Sequence, residues 1–288
     1  MKLKYSQLLI LILVLSGCQT KPTLVYESRQ FAEIRLMVEG TKKPLVIGEN
    51  TKVIDVRSPF HYSLYHVPHS INLSWQEFAN TKNHRFRSDR EDVARRLARL
   101  GIAPNKRVVI LDQGQQGHGE AGRLALTLYD LGIRDVQIAA LSYFPKKNMV
   151  QKKPEKIKNS EYWKASEDSK VMVDRDQLIR ALKGNTQKKA FVIDVRSASD
   201  YLNKSNINPK FGILTFNAIN IPWKEFLTYQ GRPELKFKKH LQGLQIHPED
   251  EIIVLGEKGL SSAAVTFCLL SLGYHRARFY PEGWSGLR

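Results

Sequence analysis

The sequence predicts an α/β protein of two similar domains, each a mainly parallel sheet flanked by helices. Three observations carry that reading. Short runs rich in Val and Ile alternate with helical patterns, as in βαβ units. The same sequence blocks occur twice in the same order. The chain has 288 residues, the length of two ordinary domains of about 100–200 residues each.

The repeat is explicit. Val53-Ile54-Asp55-Val56-Arg57-Ser58 returns 139 positions later as Val192-Ile193-Asp194-Val195-Arg196-Ser197. Ile71-Asn72-Leu73-Ser74-Trp75-Gln76-Glu77-Phe78 returns 148 positions later, from Ile219 to Phe226. Leu100–Pro104 with Val108–Leu111 returns at 144 positions as Leu244–Pro248 with Ile252–Leu255. Slightly drifting offsets mean a duplicated domain with loop insertions, because a period this long is not that of a solenoid.

Each half then reads alike. Val53–Val56 and Phe191–Val195 have the composition of fully buried strands, as do Val108–Leu111 and Ile252–Leu255. A polar, Gly-containing loop follows the second strand, then a helix: Ala121–Leu131 ending at Gly132, and Ser261–Leu272 ending at Gly273. Glycine just past a helix end is the expected capping residue. A further strand follows each, Val136–Ala140 and Ala277–Tyr280. In parallel sheets ligands bind where strand C-termini lead into helix N-termini, which directs attention to residues 112–120 and 256–262.

Composition narrows the class. Hydrophobic residues are 42% and charged residues 25%, which excludes a disordered chain, a collagen-like fibre and a polytopic membrane protein. Two cysteines exclude a disulfide scaffold and a four-cysteine zinc site. The net charge is +17, with eight lysines in residues 146–170 against Glu155, Glu161, Glu167 and Asp168. That stretch contains Pro154 and reads as a solvated linker between the domains, with attraction to an anionic surface as its functional alternative. The basic residues are not interleaved with stacking aromatics, so no nucleic acid partner is expected.

The chain begins with Lys2 and Lys4, then the apolar run Leu8–Leu15, too short to span a bilayer. Leu15-Ser16-Gly17-Cys18 resembles a bacterial lipobox, which implies cleavage before Cys18 and acylation of its thiol. The expected organisation is a signal peptide over 1–17, a tether over 18–44, domains over 45–145 and 171–288, and the linker over 146–170. Its partner is then a lipid bilayer reached through acylated Cys18, in the cell envelope. Gln19 in place of an aspartate favours the outer membrane by the usual sorting pattern.

The ordered blocks resemble a tandem rhodanese. Asp55-Val56-Arg57-Ser58, the stretch His66-Val67-Pro68-His69-Ser70-Ile71-Asn72-Leu73, the strand–loop–helix and Gly283-Trp284-Ser285 carry the resemblance, which covers nearly all of 45–145 and 170–288. It implies two rhodanese-like domains and sulfur transfer through a cysteine at the end of the second strand. Loop amides and a helix N-terminus would stabilise its thiolate and persulfide.

That cysteine is absent. The position is Asp112 in the first half and Gly256 in the second. Gly256-Glu257-Lys258-Gly259-Leu260-Ser261 stands where the family has Cys-Arg-Lys-Gly-Val-Thr, so this loop, with Arg196, is the candidate ligand site. Gly256 is expected to leave a small cavity lined by N–H groups, while Glu257 sets negative charge where a dianionic donor would sit. Arg196 either faces the ligand or forms an ion pair with Asp194. Cys268 falls deep in the apolar stretch Ala263–Leu270 and reads as buried and inert. His118 reads as a loop histidine, and no histidine cluster has metal-ligand spacing. No cofactor is expected. The chain is thus read as an inactive sulfurtransferase homologue that docks an envelope protein or a small anion. The alternative is a sulfurtransferase working through Cys268 or a partner's thiol.

Overall fold

The computed structural model describes residues 24–26, 45–47, 50–144, 146, 149–151, 159–165, 169–186, 189–202 and 217–287. The leader peptide, Cys18 and residues 152–158 of the lysine-rich stretch lie outside these residues. A short ribbon comes first, with β1 (Leu24–Tyr26) antiparallel to β2 (Leu45–Ile47).

Domain 1 contains β3 (Thr51–Asp55), α1 (Pro59–Leu64), β4 (Ile71–Asn72), α2 (Arg90–Arg99), β5 (Arg107–Asp112), α3 (Glu120–Asp130) and β6 (Val136–Ala140). Its sheet is parallel throughout, in the order β4-β3-β5-β6. Domain 2 contains α4 (Arg175–Leu182), β7 (Ala190–Asp194), α5 (Ala198–Leu202), β8 (Ile219–Asn220), α6 (Phe237–Gly243), β9 (Glu251–Leu255), α7 (Leu260–Ser271) and β10 (Ala277–Phe279). Its sheet repeats the pattern, β8-β7-β9-β10, also parallel. Register is duplicated too: Asp55 lies beside Leu111, and Asp194 beside Leu255.

The long strands start one or two residues before their apolar runs. Thr51, Lys52 and Arg107 extend the ladder with half-exposed polar side chains, which a hydrophobicity pattern does not register. Both major helices begin and end one residue earlier than expected. Gly132 and Gly273 cap them at φ +101° and +95°, a left-handed conformation that glycine adopts without a Cβ clash.

α3 and α7 pack on each other and join the domains. A Cβ at Gly122 would lie 2.6 Å from both Cα and Cβ of Ala264, so only glycine permits this approach. Around this pair a core continues from one sheet to the other, including Leu124 and Leu128 of α3 and Val265, Phe267 and Leu269 of α7. Burying each such Leu or Phe contributes about 1.5–3 kcal/mol. Separate clusters cover the far face of each sheet.

Two hairpin loops extend the junction in a reciprocal way. Ala79 bridges Phe86 in domain 1, and Leu227 bridges Pro233 in domain 2. The first loop reaches domain 2 through Arg85, whose Nε lies 2.7 Å from Glu282 Oε1. The second reaches domain 1 where Ala140 N donates to Gln230 O at 2.7 Å.

One expectation is corrected here. Part of the segment read as a solvated linker is packed on domain 1. Ala165 is buried, Trp163 packs against the core and donates Nε1–H to Leu131 O at 2.9 Å, and Ser160 N donates to Ala98 O at 2.8 Å. The indole supplies apolar area and a donor that satisfies a carbonyl just past the end of α3.

Candidate functional site

In domain 1, β5 ends at Asp112, and the loop to α3 folds back over its carboxylate. Gly114 N donates to Oδ1 at 2.6 Å and Ala121 N, in the first turn of α3, donates to Oδ2 at 3.1 Å. The carboxylate therefore takes up amides of its own loop. Burial raises its pKa to about 7 against the lowering effect of those two bonds, and Glu120 and Asp55 add to the rise. The loop is closed from above by domain 2. Gly114, at φ +58°, sits so close to Gly231 that a Cβ would be 3.3 Å from its Cα, and Gln115 Nε2 donates to Leu227 O at 2.7 Å. His118 is exposed, and its backbone N donates to Glu120 Oε2.

In domain 2, Gly256 is buried at the end of β9, and its carbonyl accepts from Trp284 N at 2.7 Å. A Cβ here would lie 2.8 Å from Ser261 Oγ and 3.2 Å from Ser262 N. The cavity expected from the missing side chain is therefore not open: the Ser261 hydroxyl fills it. Gly259 turns the chain at φ +73°, where a Cβ would come within 2.0 Å of Pro281 O. Leu260 opens α7 and Lys258 is exposed to solvent. The half-buried Glu257 is tied to the closing segment, its carbonyl accepting from Ser285 N and Oγ and its carboxylate from Ser285 Oγ at 3.2 Å.

Arg196 is buried, and its Nε and Nη2 both bond the carboxylate of Asp194, the shortest contact being 2.7 Å. Its guanidinium lies 4.3 Å from the Trp284 ring centroid. The same two-residue hook recurs in domain 1 between Arg57 and Asp55, where Arg57 lies over Tyr65. Both arginines thus orient the turn after the first strand of each sheet and have their charge balanced there.

The structure adds residues of domain 1 that sequence reasoning missed. His84, at φ 57°, and Arg85 stand at the tip of the hairpin that reaches the domain 2 loop. Burial lowers the His84 pKa, and the positive charges of Arg123 and Lys258 act the same way. Arg123 is buried, donates to His84 O at 2.6 Å, and lies 4.4 Å from the Phe86 centroid and 5.3 Å from that of Phe279. The polar run Asn80-Thr81-Lys82-Asn83 announces a turn, but nothing in it announces a contact with the other half.

Cys268 is buried in α7. At 1.5 Å per residue it lies about 12 Å along the helix from Leu260. Burial pushes its thiol pKa far up, and Asp112 adds to the effect. Cys18, the lipidation candidate, lies outside the described residues. Among the described residues no group of three or more His, Cys, Asp or Glu could hold a metal, and no helix is long and apolar enough to cross a membrane.

Comparisons with known proteins agree with this geometry. The family model for the rhodanese-like domain matches residues 39–144 and 174–288. The SseA protein of Mycobacterium bovis, named as a thiosulfate sulfurtransferase, is 24% identical over an alignment of 238 residues, with 78% of this chain and 77% of that one covered. The crystal structure of SseA from Escherichia coli, described as a 3-mercaptopyruvate sulfotransferase, superposes with a TM-score of 0.65 at 21% identity, over 82% of this chain and 93% of that one. An anaerobic ergothioneine biosynthesis enzyme from Chlorobium limicola gives 0.65 at 17% identity, over 81% of this chain and 61% of that one.

Proposed function

The chain belongs to the rhodanese-like domain family, as a tandem sulfurtransferase homologue, and from that premise we propose that it is a catalytically silent docking protein anchored to the cell envelope through Cys18. One observation carries the proposal: neither loop that would hold a sulfur carrier contains a nucleophile able to carry one. Sulfur transfer needs a thiolate to attack the outer sulfur of a donor such as thiosulfate, forming an S–S bond while sulfite leaves with the electron pair of the bond that breaks. Asp112 offers a carboxylate that already takes up its own loop amides, and Gly256 offers no side chain. The ligand is then an envelope protein or a small anion meeting Gly256–Ser261.

Cys268 is the alternative carrier. Its burial within α7 and its raised pKa hold it as a neutral thiol without access to a donor. The test is intact mass of the purified protein after thiosulfate, before and after a reductant. A persulfide adds about 32 Da, the mass of one sulfur atom on a thiol. No gain is expected. A reductant-reversible gain would overturn the proposal and make Cys268 a working sulfur carrier.

A further inference from the structure

We infer that domain 1 carries a phosphate-binding groove on the side where its tether begins, and that the phosphate it takes is a lipid headgroup of the membrane holding the anchor. The inference rests on the anchoring through Cys18 proposed above. It concerns the end of the sheet opposite to the loops at Asp112 and Gly256.

The groove has a volume of about 360 Å³ and lies where β3 and β5 begin. Lys52, Lys106, Asn50 and Asn105 come from these strand starts, and Asn159 and Glu161 from the segment that crosses them. Among the described residues its lining is polar side chains and glycine, which suits a hydrated, hydrogen-bonding ligand rather than an apolar one. Lys106 Nζ donates to Asn50 Oδ1 at 3.3 Å. Among the described residues, no ion pair is formed by Lys52 or Lys106. Lys52 is half-buried, and burial together with the charge of Lys106 lowers its pKa, as expected of two crowded cations. Among the described residues, the charged groups facing the groove are Lys52, Lys106 and Glu161, which together carry one positive charge. The phosphodiester of an anionic lipid, unlike that of phosphatidylcholine, is not offset by a cation on its own headgroup, so its net negative charge and several acceptor oxygens match both the charge and the donors.

The covalent path supplies the membrane. Leu24 of β1 lies opposite Ile47 of β2, three residues before Asn50. Cys18 precedes Leu24 by six residues, which extend at most about 20 Å. An acylated Cys18 therefore keeps this end of domain 1 beside the headgroups. A lysine close to an anionic leaflet gains roughly fivefold in association.

The test uses the lipid-modified protein purified from membranes and reconstituted in vesicles of phosphatidylcholine, alone or mixed with phosphatidylglycerol. Lysines are acetylated briefly and read by peptide mass spectrometry, with Lys258 at the far end of the other sheet as reference. Acetylation of Lys52 and Lys106 is expected to slow about fivefold in the mixed vesicles, with Lys258 unchanged. Lys52→Gln should abolish the protection of Lys106 without changing Tm. Inorganic phosphate added to phosphatidylcholine vesicles at matched ionic strength forms the second arm. Equal protection there assigns the groove to a soluble anion and overturns the lipid source. No protection in either arm overturns the groove. If the protein fails to float with vesicles, the anchoring itself is wrong, while the phosphate arm still reads the groove.

Discussion

Replacing Asp112 by asparagine removes a proton-binding group that the fold holds near neutrality. The carboxyl has a pKa of about 7 in the folded protein against 3.8 for an unperturbed side chain. Between these values the folded state keeps a proton that the unfolded state has released. Stability from this group is therefore complete below pH ~4 and falls as pH rises toward 7. A displacement of about three units at 1.36 kcal/mol each gives a loss on the order of 4 kcal/mol, flat thereafter. The group is almost wholly buried, so solvent screening discounts little of this. The amide of the Asp112→Asn variant is neutral at every pH and shows no such fall. The assay is urea unfolding of both proteins at intervals from pH 4.5 to 8. The difference between wild type and Asp112→Asn should move by several kcal/mol in favour of the variant as pH rises, even though an amide can accept only one of the two backbone N–H bonds. Parallel curves would refute the reasoning. They would mean that the bonds from Gly114 and Ala121, with the N-terminus of α3, outweigh burial and keep the carboxylate ionised.

Three further outcomes are expected. Gly122→Ala forces a methyl into the α3–α7 contact and should cost about 1–3 kcal/mol, lowering Tm by several degrees in calorimetry; adding Ala264→Gly should restore only part, because Ala264 Cα stays 2.6 Å away. Asp194→Asn leaves the buried Arg196 charge uncompensated and should destabilise by about 3–5 kcal/mol in denaturant titrations, with Asp55→Asn behaving alike in domain 1. Gly256→Cys with Glu257→Arg, which requires the Ser261 hydroxyl to rotate away, should gain a reductant-reversible mass of about 32 Da from thiosulfate; no gain on a folded variant would mean that the loop amides no longer serve a thiolate.

The duplication and the alternation of strands and helices were legible because buried parallel strands are continuous Val/Ile runs and because each block occurs twice. The placing of Asp112 at the end of β5 and of Gly256 just after β9 was legible as well, since each follows directly on its apolar run. What escaped depends on tertiary packing. The hook between Asp194 and Arg196 was one of two readings, and only geometry shows it stacked on Trp284. The filling of the Gly256 space by Ser261 needs coordinates, because glycine in a sequence says that a side chain is missing and not that room is left. Trp163 and Ala165 look like linker in the sequence because lysines dominate their neighbourhood, yet one indole and one methyl decide where that segment lies. The reach of His84 and Arg85 across to the other half has no local signal, since their turn looks like any exposed turn.

The reciprocal hairpins have a consequence for how such a protein can lose parts. The loop at 80–85 is a wall of the second domain's site, and the loop at 228–232 is a wall of the first's. A half whose chemistry has decayed is still architecture for its neighbour, so deleting it would strip the surviving loop of its roof and expose the glycine seam of the joining helices. Substitutions can silence either half one position at a time, whereas excision of a whole half is closed off. In a tandem chain of this design, substitution at a strand end is therefore structurally cheaper than removal of the half that carries it.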